Sequence, residues 1–218
     1  MCRLLAKKLG YLYLDTGAMY RAAAWALHRE YFDFEGNPPK AEHLSLLPLR
    51  FAVQRGALVV YYDGKILEDE LRQPEMSRLA SFVSQFETVR TFLTLHQRAL
   101  ASESGIVAEG RDMTTVVFPN ATLKVYLTAD LPTRAERRMA EYAGKGVALE
   151  YSVLEAQVRE RDEADEQRSL APLRPAADAV YLDTSRMDVS QVVDRLLDLV
   201  SEKAMEESGP DAAGGDLP

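Results

Sequence analysis

The sequence predicts an α/β fold built on a parallel sheet covered on both faces, with one small antiparallel insertion. Three observations lead there. Short apolar stretches at residues 11–14, 106–108, 123–127 and 179–183 are separated by long segments of helical period, as when parallel strands are joined by crossover helices. Residues 50–72, "RFAVQRGALVVYYDGKILEDELR", instead carry strand-like stretches about Asp63-Gly64, a strong short-range hairpin signal. Finally, the polar corners Asp15-Thr16-Gly17, Glu109-Gly110-Arg111-Asp112 and Asp183-Thr184-Ser185 follow strands, and open parallel sheets bind ligands beyond the carboxyl ends of their strands.

Taken in order, residues 3–9 read as a short helix closed by Gly10, with Leu4, Leu5 and Leu9 inward and Lys7 and Lys8 outward. Residues 11–14 form a strand, residues 19–28 a helix and residues 32–39 a turn-rich connection. The hairpin region covers residues 44–72. Residues 77–102 make one long helix or two, leading into the strand of "GIVAEGRD". After the strand "LKVYL" comes a charged helical region at 131–168, then the strand "AVYLD". The closing helix places Val189, Val192, Val193, Leu196, Leu197 and Val200 at helical spacing.

Composition narrows the function. A chain of 218 residues, 47% hydrophobic, suffices for one domain with an insertion or for two joined lobes. Its formal charge of −8 argues against coating polymeric nucleic acid, while leaving room for a local arginine site for a small polyanion. The single cysteine, Cys2, excludes an internal disulfide framework and a cysteine-built metal site, which fits a reducing, cytoplasmic setting. No apolar run approaches the roughly 18 residues of a membrane span.

The arginines are the informative residues, because guanidinium groups offer planar paired donors to phosphate and stay charged when dried. Arg21 follows the first corner and Arg111 lies at the exit of the "GIVAE" strand. Arg161 and Arg168 lie seven apart, about two helical turns, with Asp165 four after Arg161 on the same face. Arg134, Arg137 and Arg138 repeat the theme. Asp112 is placed to orient Arg111, bind a sugar hydroxyl, hold a metal indirectly or cap a turn. Thr16 and Tyr20 can donate to a ligand, although Tyr20 also suits helix packing. His28, His43 and His96 have no ligand spacing and read as structural or surface residues. Gly144-Lys145-Gly146 lacks the preceding strand and spacing of a phosphate-binding loop and reads as a flexible lid tip.

The segments "YLDTGAMYRAAAW", "EGRDMTTVVFPNATLKVYLTA", "RAERRM" and "RERDEADEQRSLAPLRPAADAVYLDTS" resemble, in order and spacing, those of bacterial cytidylate kinases, nucleoside monophosphate kinases acting on CMP and dCMP. The resemblance spans residues 2–205. It implies a P-loop kinase fold divided into core (1–33, 83–130, 171–205), a monophosphate-binding insertion (34–82), lid with flanking helices (131–170) and a disordered tail (206–218). It implies Thr16, Tyr20 and Arg21 against the acceptor nucleotide, Arg90 and Arg111 on its phosphate, and Asp112 and Asp165 near its sugar or base. Arg72 and Ser81 would recognise cytosine, and Arg137, Arg138, Arg161 and Arg168 would close over the phosphates, with Arg111, Arg161 and Arg168 catalytic. The donor would be ATP with Mg2+, and the protein a monomer.

Family members begin with an apolar strand and a G-x-x-x-x-G-K-[ST] loop, for which this sequence has no counterpart. The expectation is therefore that the strands at 106–108 and 123–126 lack a shared neighbour. It is also expected that the natural start lies upstream and that the chain as written is inactive. The competing expectations are a catalytically dead nucleotide-binding or regulatory protein and an acidic structural component of an oligomer.

Overall fold

The computed structural model describes residues 1–31, 38–101, 105–144 and 146–208. Helix α1 (Cys2–Leu9) turns Cys2, Leu5 and Ala6 inward and ends at Gly10, whose φ of 67° is left-handed and costs little without a Cβ. Leu4, expected inward, is instead 50% exposed: its neighbour Leu5 takes the buried face, which leaves Leu4 about 100° around the helix. It lines a surface groove with Lys7, Lys8, Val189, Ser190 and Val193.

Strand β1 (Leu12–Asp15) sends Leu14 into the main core and Tyr13 to the opposite side, against Cys2, Ala6 and Val107. Helix α2 (Thr16–Glu30) begins three residues before the expected 19–28 span and runs through the main core. Met19, Leu27 and four alanines, Ala22, Ala23, Ala24 and Ala26, are fully buried there. Such small residues let neighbouring elements approach closely.

The insertion opens with a helix the periodicity did not announce, α3 (Ala41–Leu46), followed by β2 (Leu49–Gln54), β3 (Ala57–Tyr62) and β4 (Lys65–Ile66). Asp63-Gly64 is the predicted turn, with φ of 48° and 76°, and joins β3 to the two-residue β4. The longer hairpin turns at Arg55-Gly56, with φ of 52° and 73°, so both loops carry the paired left-handed residues that match strand twist. The insertion is attached to the parallel strands through Tyr13 and Ala57, where Tyr13 N donates to Gly56 O at 3.0 Å.

Residues 77–102 resolve into two helices, α4 (Pro74–Val83) and α5 (Glu87–Leu100). Strand β5 (Ile106–Glu109) then pairs in parallel with β1 from Leu12–Ile106 to Asp15–Glu109, placing both polar corners side by side. Strands β6 (Val125–Thr128) and β7 (Val180–Asp183) pair with each other. The sheet order is β2-β3-β1-β5 with β6-β7 separate, so β5 and β6 have no common strand neighbour among the described residues. Their apolar faces still meet in one cluster, in which Val107, Val125 and Leu127 pack with Leu5, Val192, Leu196 and Leu199.

The charged region divides into α6 (Leu131–Ala143) and α7 (Tyr151–Gln167). Helix α8 (Val189–Ser208) buries Val192, Val193, Leu196 and Leu199, whereas Val189 is 54% exposed. Residues 206–208, expected in the disordered tail, continue this helix. Most of the expected turn at 32–39, Ser102 and Ser104, Lys145 of the expected lid tip and the tail from residue 209 lie outside the described residues.

Candidate active site

Asp15 caps α2 by accepting from Ala18 N at 2.8 Å, and its other oxygen lies 3.3 Å from Arg21 Nη2. Thr16, 2% exposed, donates its hydroxyl to the Glu109 carbonyl at 2.6 Å, locking this corner to the end of β5. Gly110 allows that approach: a Cβ there would stand 2.5 Å from Thr16 Oγ1 and 2.8 Å from Met113 Cε.

Beyond Gly110 the chain turns through Arg111 and Asp112 into a π-helical turn, Met113–Val117. Arg98 of α5 secures that turn by donating to the carbonyls of Val117 and Val116 at 2.9 and 2.8 Å. Asp112 thereby meets Arg90, also of α5, in a hydrogen-bonded ion pair whose side chains are 9% and 3% exposed. Arg90 also donates to Ser84 O at 3.1 Å and lies 5.8 Å from the Tyr20 ring centre. Burial pushes the Tyr20 phenol up to about 12; Arg90 and Arg168 oppose that rise and Asp112 adds to it. Four predicted residues, Tyr20, Arg90, Asp112 and Arg168, therefore share one electrostatic neighbourhood.

Helix α7 supplies the facing wall. Asp165, 4% exposed, accepts from Arg111 Nε at 2.8 Å and from Arg168 Nη1 at 3.2 Å, and Arg161 Nε lies 3.9 Å from it. The i, i+4, i+7 spacing thus brings Arg161 and Arg168 to one carboxylate, and Arg111 joins them from the exit of β5. Arg168 is fixed further by Nε donating to Ala171 O at 2.8 Å, yet its buried Nη2 has no partner, and the buried Nε of Arg161 makes no hydrogen bond. Burial lowers the pKa of Arg161, with Arg111 the next cause; burial also lowers that of Arg168, with Arg90 next. Each cationic form is under strain, and an arriving anion would relieve it.

The other predicted residues lie around this centre. Ser81 O accepts from Ser84 Oγ at 2.7 Å, linking it to Arg90 through the carbonyl of Ser84. Arg72 is exposed and 3.6 Å from Glu68. Arg137 donates to Thr184 Oγ1, Thr184 O and Met187 O at 3.0, 2.7 and 3.1 Å, tying α6 to the loop after β7. Arg138 reaches Ser77 Oγ at 3.4 Å and Tyr142 OH at 3.3 Å, bridging α6 to α4. His43 accepts from Lys40 N at 3.2 Å and His96 contacts the Phe92 carbonyl at 2.8 Å, the structural roles expected of them.

Sequence reasoning missed Arg98 and Ser84, and it placed Asp15 and Gly110 in ligand-side corners without assigning either a role. Asp15 alone was signalled, as an N-cap directly before a helical run. No group of three or more His, Cys, Asp or Glu side chains suited to a metal occurs among the described residues.

A cytidylate kinase family profile matches residues 1–202. The chain is 42% identical over 203 residues to a cytidylate kinase of Thermotoga sp. (strain RQ2), covering 93% of this chain and 91% of that protein. It is 38% identical over 206 residues to the cytidylate kinase of Vibrio vulnificus (strain CMCP6), covering 94% of this chain and 91% of the relative. A bifunctional pantoate ligase/cytidylate kinase of Synechococcus elongatus is 37% identical across 98% of this chain, which spans 42% of that longer protein.

Proposed function

Because the chain belongs to the cytidylate kinase family, and is thus an enzyme of the nucleoside monophosphate kinase class, we propose that it transfers the γ-phosphoryl group of ATP to CMP or dCMP, giving CDP or dCDP. The observation that carries this reading is the arginine cluster on Asp112 and Asp165, with buried guanidinium N–H groups still unpartnered. Positively charged planar donors, Arg90 and Arg168 buried and Arg111 and Arg161 partly open to an arriving ligand, suit a phosphoryl group in transfer.

In this reading Arg90 and Arg111 hold the acceptor phosphate, and Thr16, Tyr20 and Arg21 contact the acceptor nucleotide, Arg21 from the side of that phosphate. Asp112 fixes Arg90, while Asp165 fixes Arg111 and Arg168, and both carboxylates lie near the sugar or base. Arg72 and Ser81 read cytosine. Arg161 and Arg168, presented by α7, neutralise charge as the γ-phosphoryl passes in line between oxygens, and Arg111 does so from β5. Arg137 and Arg138 belong to the lid, whose closure keeps water from competing as acceptor.

The attacking phosphate oxygen is already anionic, so no general base is required. Mg2+ belongs to this reading as ATP's counter-ion. The described side chains form no cage for it, since Asp112 and Asp165 are occupied by arginines. The site would act in a monomer, in the cytoplasm; no helix among the described residues is long and apolar enough to cross a membrane.

The test is a coupled ADP-release assay with ATP-Mg2+, run with and without CMP. ADP release that depends on CMP supports the reading. CMP binding without turnover would instead favour a nucleotide-binding or regulatory protein, and failure to bind either nucleotide would remove the site assignment.

A further inference from the structure

Asp15 uses its two carboxylate oxygens differently. Oδ1 accepts the Ala18 N–H at 2.8 Å and starts α2, while Oδ2 faces Arg21 Nη2 at 3.3 Å. The glycine between them leaves room for the second contact: a Cβ on Gly17 would stand 3.1 Å from Arg21 Nη1 and 3.2 Å from Asp15 Oδ1, so one of those groups would have to give way by a few tenths of an ångström. Aspartate, glycine and arginine therefore form one unit in which the guanidinium folds back over the corner.

Arg21 also needs a restraint. It is among the charges that disfavour the cationic form of Arg161, together with Arg111 and Arg138 and opposed by Asp165, so like charges lie within its electrostatic reach. A long side chain without a counter-ion there would swing towards solvent, and ordering it again on ligand binding would cost affinity.

We infer that Asp15 is a positioning residue, holding the Arg21 guanidinium at the acceptor-phosphate side of the cluster before nucleotide arrives. This rests on the reading of Arg21 as a contact to the acceptor nucleotide from the side of its phosphate. The pair is about a quarter exposed on each side, at 27% and 28%, so screening limits the expected effect to roughly threefold to fivefold in affinity.

Asp15→Asn isolates the role, because its amide oxygen still caps α2 while the amide nitrogen cannot accept from Arg21. Calorimetric titration would compare CMP with cytidine, which lacks the phosphate, on the wild type, Asp15→Asn, Arg21→Ala and the double variant. The expected result is weaker CMP binding for Asp15→Asn, unchanged cytidine binding, and no further loss when the substitution is added to Arg21→Ala. Gly17→Ala should give the same phosphate-selective loss. Unchanged CMP affinity, a parallel loss of cytidine, or a loss that persists without Arg21 would each overturn the inference.

If the wild type bound neither compound, the functional reading would fall, and nitrogen NMR of labelled arginine would decide the geometry separately. Slowed guanidinium rotation at Arg21 that disappears in Asp15→Asn supports the hold; identical spectra refute it.

Discussion

Replacing Asp112 by Ala should destabilise the fold far more than a surface substitution would. The side chains of Arg90 and Asp112 are 9% and 3% exposed, so the change leaves a guanidinium away from water with only the Ser84 carbonyl and the Tyr20 ring beside it. Breaking a buried pair on one side costs about 3–5 kcal/mol, because the remaining charge is uncompensated. At about 2.1 cal/mol/K per residue, the 218 residues give an unfolding entropy near 0.46 kcal/mol/K, which converts the loss to a fall of about 7–11 °C in Tm. Thermal unfolding followed by circular dichroism reads this directly. The companion Asp112→Ala/Arg90→Met should recover much of the loss, since it removes the orphaned charge as well. A fall below about 2 °C for the single variant, or a double variant no more stable than the single, would show that no uncompensated charge is left at Arg90.

Three further outcomes follow from local geometry. Gly110→Ala should lower stability by about 1–3 kcal/mol and weaken CMP binding, because the new Cβ displaces Thr16 or Met113; unchanged melting and affinity would show that the corner yields freely. Gln97 on α5 is fully buried and neither amide atom has a partner among the described residues, so Gln97→Met should raise stability by about 1–3 kcal/mol, whereas a lower Tm would reveal a partner for the amide. Burial first, and Glu109 second, push the Cys2 thiol from its ordinary 9.0 up to about 12. The unfolded chain thus releases this proton at a lower pH than the folded chain, and stability falls as pH rises from about 9 to 12. The urea midpoint should drop between pH 8 and pH 10, less steeply in Cys2→Ala; equal slopes in the two proteins would contradict this.

The sequence made the α/β order visible because each strand is a short apolar run and each long helix repeats its apolar face. It was less informative where structure depends on partners distant in the chain. Arg55-Gly56 turns the main hairpin, yet Asp63-Gly64 carries the stronger residue signal and serves only the short β4. Leu4 is as apolar as Leu5 and lost the inward position through helix phase alone. The π-helical turn at Met113–Val117 has no periodic signature, and it is fixed by Arg98, well back on α5.

The same division holds in the candidate site. Arg161, Asp165 and Arg168 were legible as one face because their spacing is helical. The pairing of Arg90 with Asp112 and of Arg111 with Asp165 spans 22 and 54 residues and depends on how α5, β5 and α7 pack. Arg137 illustrates the remaining gap: its sequence neighbourhood resembles a lid, while its guanidinium is held by the backbone of the loop after β7.

The central claim is transfer of a phosphoryl group to a cytidine monophosphate through the arginine cluster. The most direct measurement follows the label from γ-32P ATP in the presence of CMP, with Arg111→Ala as the comparison. Label should appear in the β-phosphate of CDP, formed with an equal amount of ADP and strongly reduced in the variant. Label found only as inorganic phosphate, or remaining in ATP, would contradict it.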